Sequence, residues 1–226
     1  MRLLMLVLVL VLGPLLAGCA QPQLRSSAVH SYRLHGITLR EPAPDVTPVV
    51  LSVLPVDAAP GLDGAAMLYS PAPGQLLPYR DSGWLAPPPA LVRSALAQTL
   101  ARQAWVAAVE QDVALVPAPW LLHCELTRLE HDTLPAPGRV RLGLRCELVG
   151  EPDGRIAAHW DSALSQSLTV GDAAHYAAAA QQLLDAALRD VLREVAAALP
   201  RGPAPQPDAG RAAAQRSAIS ASNASP

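Results

Sequence analysis

The 226-residue chain contains no phenylalanine and no lysine, and only 16% of its residues are charged. Without phenylalanine, the core has to be built from leucine, valine, alanine and four tryptophans. The net charge of −2 provides no basic face of the kind that binds nucleic acid. All 17 basic residues are arginine, and together with 23 prolines this composition is typical of a GC-rich bacterial genome rather than of one function.

Recognisable catalytic motifs are also missing. The sequence has no Gly-x-Ser-x-Gly elbow, no Gly-x-x-x-x-Gly-Lys loop and no His-Glu-x-x-His motif. A solvated sheet face explains the densest polar cluster better than a metal site does. We therefore expect a non-catalytic protein that holds no metal and no cofactor. The cluster lies on or beside the solvent face of a predicted strand and comprises His123, Glu125, Glu130 and His131.

The N-terminal hydrophobic stretch, residues 3–17, is too short to cross a bilayer, which takes about 20 apolar residues. It follows one positive charge and ends in Leu16-Ala17-Gly18-Cys19, which looks like a bacterial lipobox. On this interpretation residues 1–18 are a lipoprotein signal peptide, Cys19 is acylated, and residues 19–31 form a polar tether. The alternatives are a secretory signal with an incidental cysteine and an uncleaved anchor helix.

The predicted anchor also indicates a compartment. Several fatty acids, such as palmitate, bind a membrane firmly, whereas a single chain is marginal. Ala20 stands where an aspartate would resemble the signal for retention in the inner membrane. We therefore expect attachment to the outer membrane, with the domain facing the periplasm.

Hydrophobic periodicity predicts a single α+β domain over residues 32–199, in which two amphipathic helices pack on an antiparallel sheet. Apolar residues three or four apart indicate one helix from Pro87 to about Ala104 and a longer one from Asp172 to Leu199. Residues 200–226 have almost nothing to bury and are expected to be disordered. Alternating apolar and polar residues predict a meander of three strands at 120–129, 139–149 and 155–170, after shorter strands at 32–34, 49–56, 66–70, 75–79 and 113–116.

Cys124 and Cys146 lie on the same face of neighbouring predicted strands. If the connecting turn centres near Pro135, the two residues are directly opposite and close enough for a disulfide. A shift of the register by one pair would separate them and leave two buried free thiols. The sequence leaves both possibilities open.

The segment from Ala58 to Pro89 is rich in proline and glycine but keeps large apolar residues that a disordered linker would lack. Its aromatic residues suit a recognition surface, although they would serve equally to cover one edge of the core. The first candidates for partner docking are Leu62, Tyr79 and Trp84, together with the exposed face of the sheet.

Taken together, these features resemble the ABC-type transport auxiliary lipoproteins, and the resemblance covers roughly residues 30–199. The Trp-x-x-Pro-Pro step before a leucine-rich helix and the order of the elements carry most of it. The residues concerned are the lipobox, Tyr32-x-Leu34, the valine-rich strand at 49–56, Gly61-Leu62-Asp63, Tyr79 and Trp84-Leu85-Ala86-Pro87-Pro88.

The resemblance implies a non-catalytic subunit of an MCE-type lipid-transport system that supports membrane integrity. In such a system an inner-membrane ABC transporter and an MCE-domain protein carry phospholipids or other hydrophobic molecules across the periplasm. The lipoprotein would sit at the outer membrane and dock the periplasmic MCE component, and homo-oligomers occur in the family. The alternatives are a periplasmic lipid-binding carrier and an outer-membrane assembly lipoprotein.

Overall fold

The computed structural model describes residues 30–39, 47–112, 118–151 and 154–200. Neither of the two helices found there combines the length and the apolarity of a membrane span. The elements, in chain order, are β1 (His30–Tyr32), β2 (Val49–Val53), β3 (Asp57–Ala58), β4 (Ala66–Ser70), β5 (Leu77–Trp84), α1 (Pro88–Leu100), β6 (Val106–Glu110), β7 (Trp120–Asp132), β8 (Arg139–Gly150), β9 (Arg155–Ser167) and α2 (Ala173–Ala198).

Several sequence predictions lie outside the described residues. These are the signal peptide at 1–18, acylated Cys19, the strand at 113–116 and the tail from residue 201 onward. Most of the predicted tether lies outside them too, since only its last two residues are described, as the start of β1.

The predicted meander is present. Strand β8 lies between β7 and β9 and pairs antiparallel with both along nearly its whole length. One face of these strands is buried because apolar side chains alternate with polar ones along each strand. The buried apolar side chains of β7 and β8 are Leu122, Cys124, Leu126, Leu129, Val140, Leu142, Leu144, Cys146 and Leu148.

The prediction of a purely antiparallel sheet is wrong, because the nine-stranded sheet is mixed. Strands β2, β3 and β4 pair one after another with the edge of β7 that lies opposite β8. All three run parallel to β7. Strand β1 is parallel to β5, and β2 is parallel to β6. Parallel pairing needs a crossover connection, and helix α1 provides one between β2 and β6. Alternation within each strand does not reveal such long-range pairing.

A bulge in β7 changes which residues face the core. The register shifts between Leu126 and Arg128, so Thr127 is an extra residue without a partner opposite it. Even-numbered residues face the core before the bulge, whereas Leu129 and His131 do so after it. A side chain at Gly143, on the facing strand, would collide with the hydroxyl of Thr127, which explains the glycine there. The sequence-based placement of His131 on the solvent face is therefore wrong.

The helices cover one face of the sheet. Helix α1 begins with prolines in its first turn and ends at Leu100, earlier than predicted, because the chain turns there to start β6. The carboxylate of Asp172 caps α2 by accepting a 2.8 Å hydrogen bond from the backbone N–H of His175. Helix α2 packs on β8 and β9, as its apolar stripe predicts.

Residues 33–39, the N-terminal segment, lie across both helices. The side chain of Gln181 on α2 bonds both the N–H and the carbonyl of His35, each at 3.0 Å. The Thr99 hydroxyl on α1 accepts from the Ile37 N–H at 3.1 Å, and Gln103, just after α1, donates to the Leu39 carbonyl at 2.9 Å. Side-chain bonds therefore hold this extended backbone to the helical layer.

Candidate interaction site at the loop end of the sheet

The structure places the predicted docking residues mainly in the core. Leu62 is 6% exposed and Trp84 is 4% exposed, so in this structure neither side chain offers a docking surface. Tyr79 is half-buried. Trp84 is the last residue of β5, whereas Leu62 lies in the connection between β3 and β4, and both side chains belong to the core. Of the two interpretations that the sequence left open, coverage of the core is the one that fits Leu62 and Trp84.

Half-buried Tyr79 and buried His131 form a hydrogen-bonded pair that sequence reasoning missed. The oxygen of the Tyr79 hydroxyl lies 2.6 Å from Nδ1 of His131, and Nε2 of His131 lies 3.1 Å from the carbonyl oxygen of Pro137. Because a carbonyl can only accept, Nε2 carries the proton and Nδ1 accepts from the tyrosine. These two hydrogen bonds fix the orientation of the His131 ring, which is 1% exposed.

Aromatic rings surround this pair. Tyr69 packs edge-on against Tyr79 at 5.3 Å between ring centroids, and Tyr176 of α2 lies 6.0 Å from both Tyr79 and His131. Trp84 packs edge-on against Tyr176 at 5.6 Å. The cluster thereby joins β4, β5, β7 and α2, and the buried hydroxyl of Tyr176 has no hydrogen-bond partner in the described part of the chain.

Burial makes both central phenols weak acids. Burial, with smaller contributions from Asp172 and Tyr69, raises the pKa of Tyr79 to about 12. Burial, followed by the effects of Tyr79 and Glu130, raises the pKa of Tyr176 well above its usual value. The raised pKa keeps both hydroxyls protonated near neutral pH.

The cysteine pair is bonded. Cys124 and Cys146 are directly opposite across β7 and β8, with their Cα atoms 4.1 Å apart, and their sulfurs form a disulfide. The turn that connects the strands has the position that a directly opposite pair of cysteines requires. Of the two possibilities left open, the disulfide is the one that the structure contains.

The outer face of the meander, which faces away from the helices, carries matched charges. Arg145 contacts Glu125 at 3.1 Å and Asp161 at 3.6 Å, so it bridges all three strands. Arg141 pairs with Asp132 at 2.5 Å. His123, Glu125 and Glu130 lie here as predicted, without His131, and no three potential ligands converge on a metal position among the described residues. Opposite charges side by side make this a solvated, nearly neutral surface.

Three connections meet at one end of the sheet, which we call the loop end: residues 71–78, 133–138 and 168–171. The N–H of Thr133 donates to the Ser70 carbonyl at 3.0 Å, and the N–H of Leu168 donates to the Gly138 carbonyl at 2.9 Å. These bonds hold the three connections side by side. A groove of about 380 Å³ lies between residues 70–74 and Leu134, with charged side chains of β7 and β8 along its wall.

The loop end is apolar and exposed. None of its residues is charged. It contains most of the large apolar side chains that are exposed in the described residues. Sequence reasoning missed this surface because its three connections are far apart in the chain. The sequence feature that could have indicated this surface is a leucine beside a proline in two separate loops. The exposed residues are Leu76, Leu77, Leu134 and Val170.

These features describe a small α+β domain with two helices on one face of a mixed sheet and a solvated opposite face. Residues 32–192 match the family described as the ABC-type transport auxiliary lipoprotein component. Because this match spans well over half of the chain, the protein belongs to that family, as the resemblance in its sequence indicated.

Solved structures agree on the fold. A Xanthomonas campestris protein of the DUF330 family is similar with a TM-score of 0.66 and 22% identity, covering 74% of this chain and 95% of that one. An uncharacterized protein is similar with a TM-score of 0.57 and 13% identity, covering 75% of this chain and 99% of that one. No curated protein matches the chain.

Proposed function

We propose that this lipoprotein is a non-catalytic subunit of an MCE-type lipid-transport system that docks the periplasmic MCE component. The observation that carries this proposal is the family match over residues 32–192, which associates the domain with ABC-type transport. The MCE partner and the lipid cargo come from the family resemblance described above.

The chemistry of the described residues supports a non-catalytic role. The imidazole of His131 is 1% exposed and bonds Tyr79 and the Pro137 carbonyl, so burial keeps it away from a substrate. The raised pKa of Tyr79 keeps its hydroxyl protonated near neutral pH. The groove at the loop end is a shallow surface depression whose walls are ion-paired residues rather than a convergent catalytic group.

The lipobox supports an anchor at Cys19, which we place in the outer membrane because Ala20 follows it. An acylated chain is confined to the membrane surface, and this confinement raises its effective concentration near any partner held there. Only residues 20–29 separate Cys19 from β1, and this length keeps the domain close to that membrane.

The outer face of the meander is the surface that we assign to the MCE partner. Leu62 and Trp84 are buried, so the exposed sheet face remains of the two surfaces that the sequence nominated. Arg145, at its centre, is the residue type that recurs at the centres of protein interfaces. Tyr79 contacts the core side of the same sheet through its hydrogen bond to His131 on β7.

A lipid carrier is the main rival from another class, and it would require the sheet and the helices to separate around an acyl chain. The closed core between the two layers weighs against it, since Leu96, Tyr176 and Leu142 are almost completely buried there. An outer-membrane assembly lipoprotein with no transport role is a second rival.

Affinity capture tests the proposal. The tagged, full-length, lipidated protein is isolated from gently solubilised envelopes, and the co-purifying proteins are identified by mass spectrometry. We expect an MCE-domain protein together with ABC transporter subunits. Recovery of outer-membrane assembly factors instead, or of lipid without protein, would overturn the proposal in favour of the corresponding rival.

A matched pair of variants tests the surface. Arg145→Glu replaces the central cation of the outer face, and Arg189→Glu makes the same charge change on an exposed position of α2. We expect the first variant to lose the MCE protein from the captured material and the second to retain it. Equal recovery with both would place the docking surface elsewhere.

A further inference from the structure

We propose that the loop end is a membrane-contact surface, which inserts its exposed aliphatic side chains into the interfacial layer of the bilayer that holds the lipid anchor. This inference goes beyond the proposed function, because it concerns how the domain is oriented on the membrane and not which protein it docks.

The first argument is the composition of the surface. Three separate connections, held together by backbone hydrogen bonds, present aliphatic side chains and no charge. Leu134, near the start of the 133–138 turn, is 65% exposed. Single exposed apolar residues are ordinary, but an uncharged cluster of them marks an interaction site.

The second argument concerns the backbone, which must also leave water if the loop end inserts. An unpaired N–H or carbonyl group is costly in an apolar environment. The loop end contains several prolines, which have no N–H to satisfy. Other N–H groups are already bonded internally, those of Gln75 and Gly138 to the carbonyls of Ala72 and Pro135. At these positions the backbone therefore requires no water as a partner for an N–H group.

The third argument is the type of side chain, which favours lipid over protein as the occupant. Protein interfaces depend most on tryptophan, tyrosine and arginine, and leucine and valine are under-represented among their strongest contacts. The loop end has none of the first three types. Arg139 directly follows the 133–138 turn, is exposed and has no ion-pair partner among the described residues. Its guanidinium is suited to lipid phosphate.

The direction of the chain provides the fourth argument. Strand β5 begins at the loop end, and β1 runs parallel to it with His30 beside Ser82. At about 3.3 Å per residue, β1 starts about 17 Å from the loop end and runs away from it. Residues 20–29, which separate Cys19 from β1, reach about 35 Å when extended. The tether is therefore long enough for the loop end to meet the membrane that holds the acyl chains.

The experiment uses full-length lipidated protein in vesicles of phosphatidylethanolamine and phosphatidylglycerol. Leu134→Cys carries an environment-sensitive fluorophore, and lipids brominated on their acyl chains serve as the quencher. The introduced thiol is the one available for labelling, because Cys124 and Cys146 are bonded and Cys19 is acylated on this proposal. Ile156→Cys is the matched control, since Ile156 is an aliphatic residue with 59% exposure at the other end of the meander.

We expect brominated lipid to quench the label at position 134 and to leave the label at position 156 unaffected. Adding Leu76→Asp and Leu77→Asp to the Leu134→Cys protein should lower the equilibrium constant for insertion by about tenfold for each leucine. Quenching at position 134 should then fall to the level seen at position 156.

Three results would overturn the inference. The first is no quenching at either position, and the second is equal quenching at both. The third is a label at position 134 that becomes shielded from solvent only when the MCE protein is added. The last result would identify the loop end as a protein-docking surface instead. None of these results depends on the capture experiment, so failure of the membrane contact and failure of the transport role are distinguishable.

Discussion

The hydroxyl of Tyr79 on β5 bonds the buried imidazole of His131 on β7, with strand β4 lying between them. The bond therefore spans three strands beneath the loop end. The imidazole keeps its orientation because its second nitrogen donates to the Pro137 carbonyl in the turn that follows β7.

Removing this hydroxyl should destabilise the domain. In Tyr79→Phe, Nδ1 of His131 loses its only partner among the described residues while remaining buried, and an unsatisfied buried acceptor costs about 1–3 kcal/mol. Urea unfolding measures the free-energy difference. Tyr69→Phe is the control, because the Tyr69 ring packs on the same cluster through its edge, and a change within about 0.5 kcal/mol is expected there. Equal effects for the two variants would contradict the role of the bond.

Stability should fall at high pH. The pKa of Tyr79 is raised to about 12 in the folded state, above the usual value of 10. The unfolded protein therefore releases the phenolic proton first, and ionisation favours unfolding. The contribution of this group is complete below pH 10 and is lost as the pH rises towards 12, and Tyr176 acts in the same direction. Because the chain has no lysine, tyrosines dominate the titration in this range.

Urea unfolding at a series of alkaline pH values measures this effect. We expect Tyr79→Phe to flatten the decline between pH 10 and 12. A slope that is identical in Tyr79→Phe and in the unmodified protein would show that Tyr79 does not contribute to it.

Gly143 should tolerate no side chain while Thr127 keeps its hydroxyl. A Cβ at position 143 collides with that hydroxyl at the bulge, so Gly143→Ala should lower stability by about 1–3 kcal/mol. Adding Thr127→Ala removes the colliding oxygen and should recover part of the loss. A double-mutant cycle measures the coupling, and additive effects would contradict this explanation of the glycine.

The disulfide should contribute to stability by restricting the unfolded chain. Cys124 and Cys146 are 22 residues apart, and closing a loop of this size is worth about 2–4 kcal/mol. The double variant Cys124→Ala, Cys146→Ala should therefore unfold at lower urea concentration than the oxidised protein. A reductant should shift the unmodified protein in the same direction and leave the double variant unchanged. A shift in the double variant would assign the effect of the reductant to another group.

The meander and both helices were predictable from the sequence because their hydrophobic patterns are local. Each strand alternates against one helical layer, and the Asp172 cap and the apolar stripe of α2 define that helix without reference to distant residues. The disulfide could be predicted on one condition, which was the register of a single hairpin.

The remaining features depend on contacts between distant parts of the chain. The parallel edge of the sheet brings β2, β3 and β4 alongside β7, and no local pattern records that pairing. The bulge at Thr127 reverses the alternation within a single strand, so His131 was assigned to the wrong face. Leu62 and Trp84 resembled surface anchors because their segment is rich in proline, whereas the fold buries Trp84 at the end of β5 and Leu62 in the connection before β4.

The N-terminal segment has a mechanical consequence for a chain held by its N-terminal end. Tension applied there reaches β1 first. This strand is paired with β5 over only three residues. Beyond it, the load passes to the bonds that Gln181 makes with His35, and that Thr99 and Gln103 make with the backbone further along. These bonds attach His35, Ile37 and Leu39 to α2, to α1 and to the residue Gln103 that follows α1. The attachment to the helical layer therefore adds to the resistance that the three-residue strand β1 offers to tension.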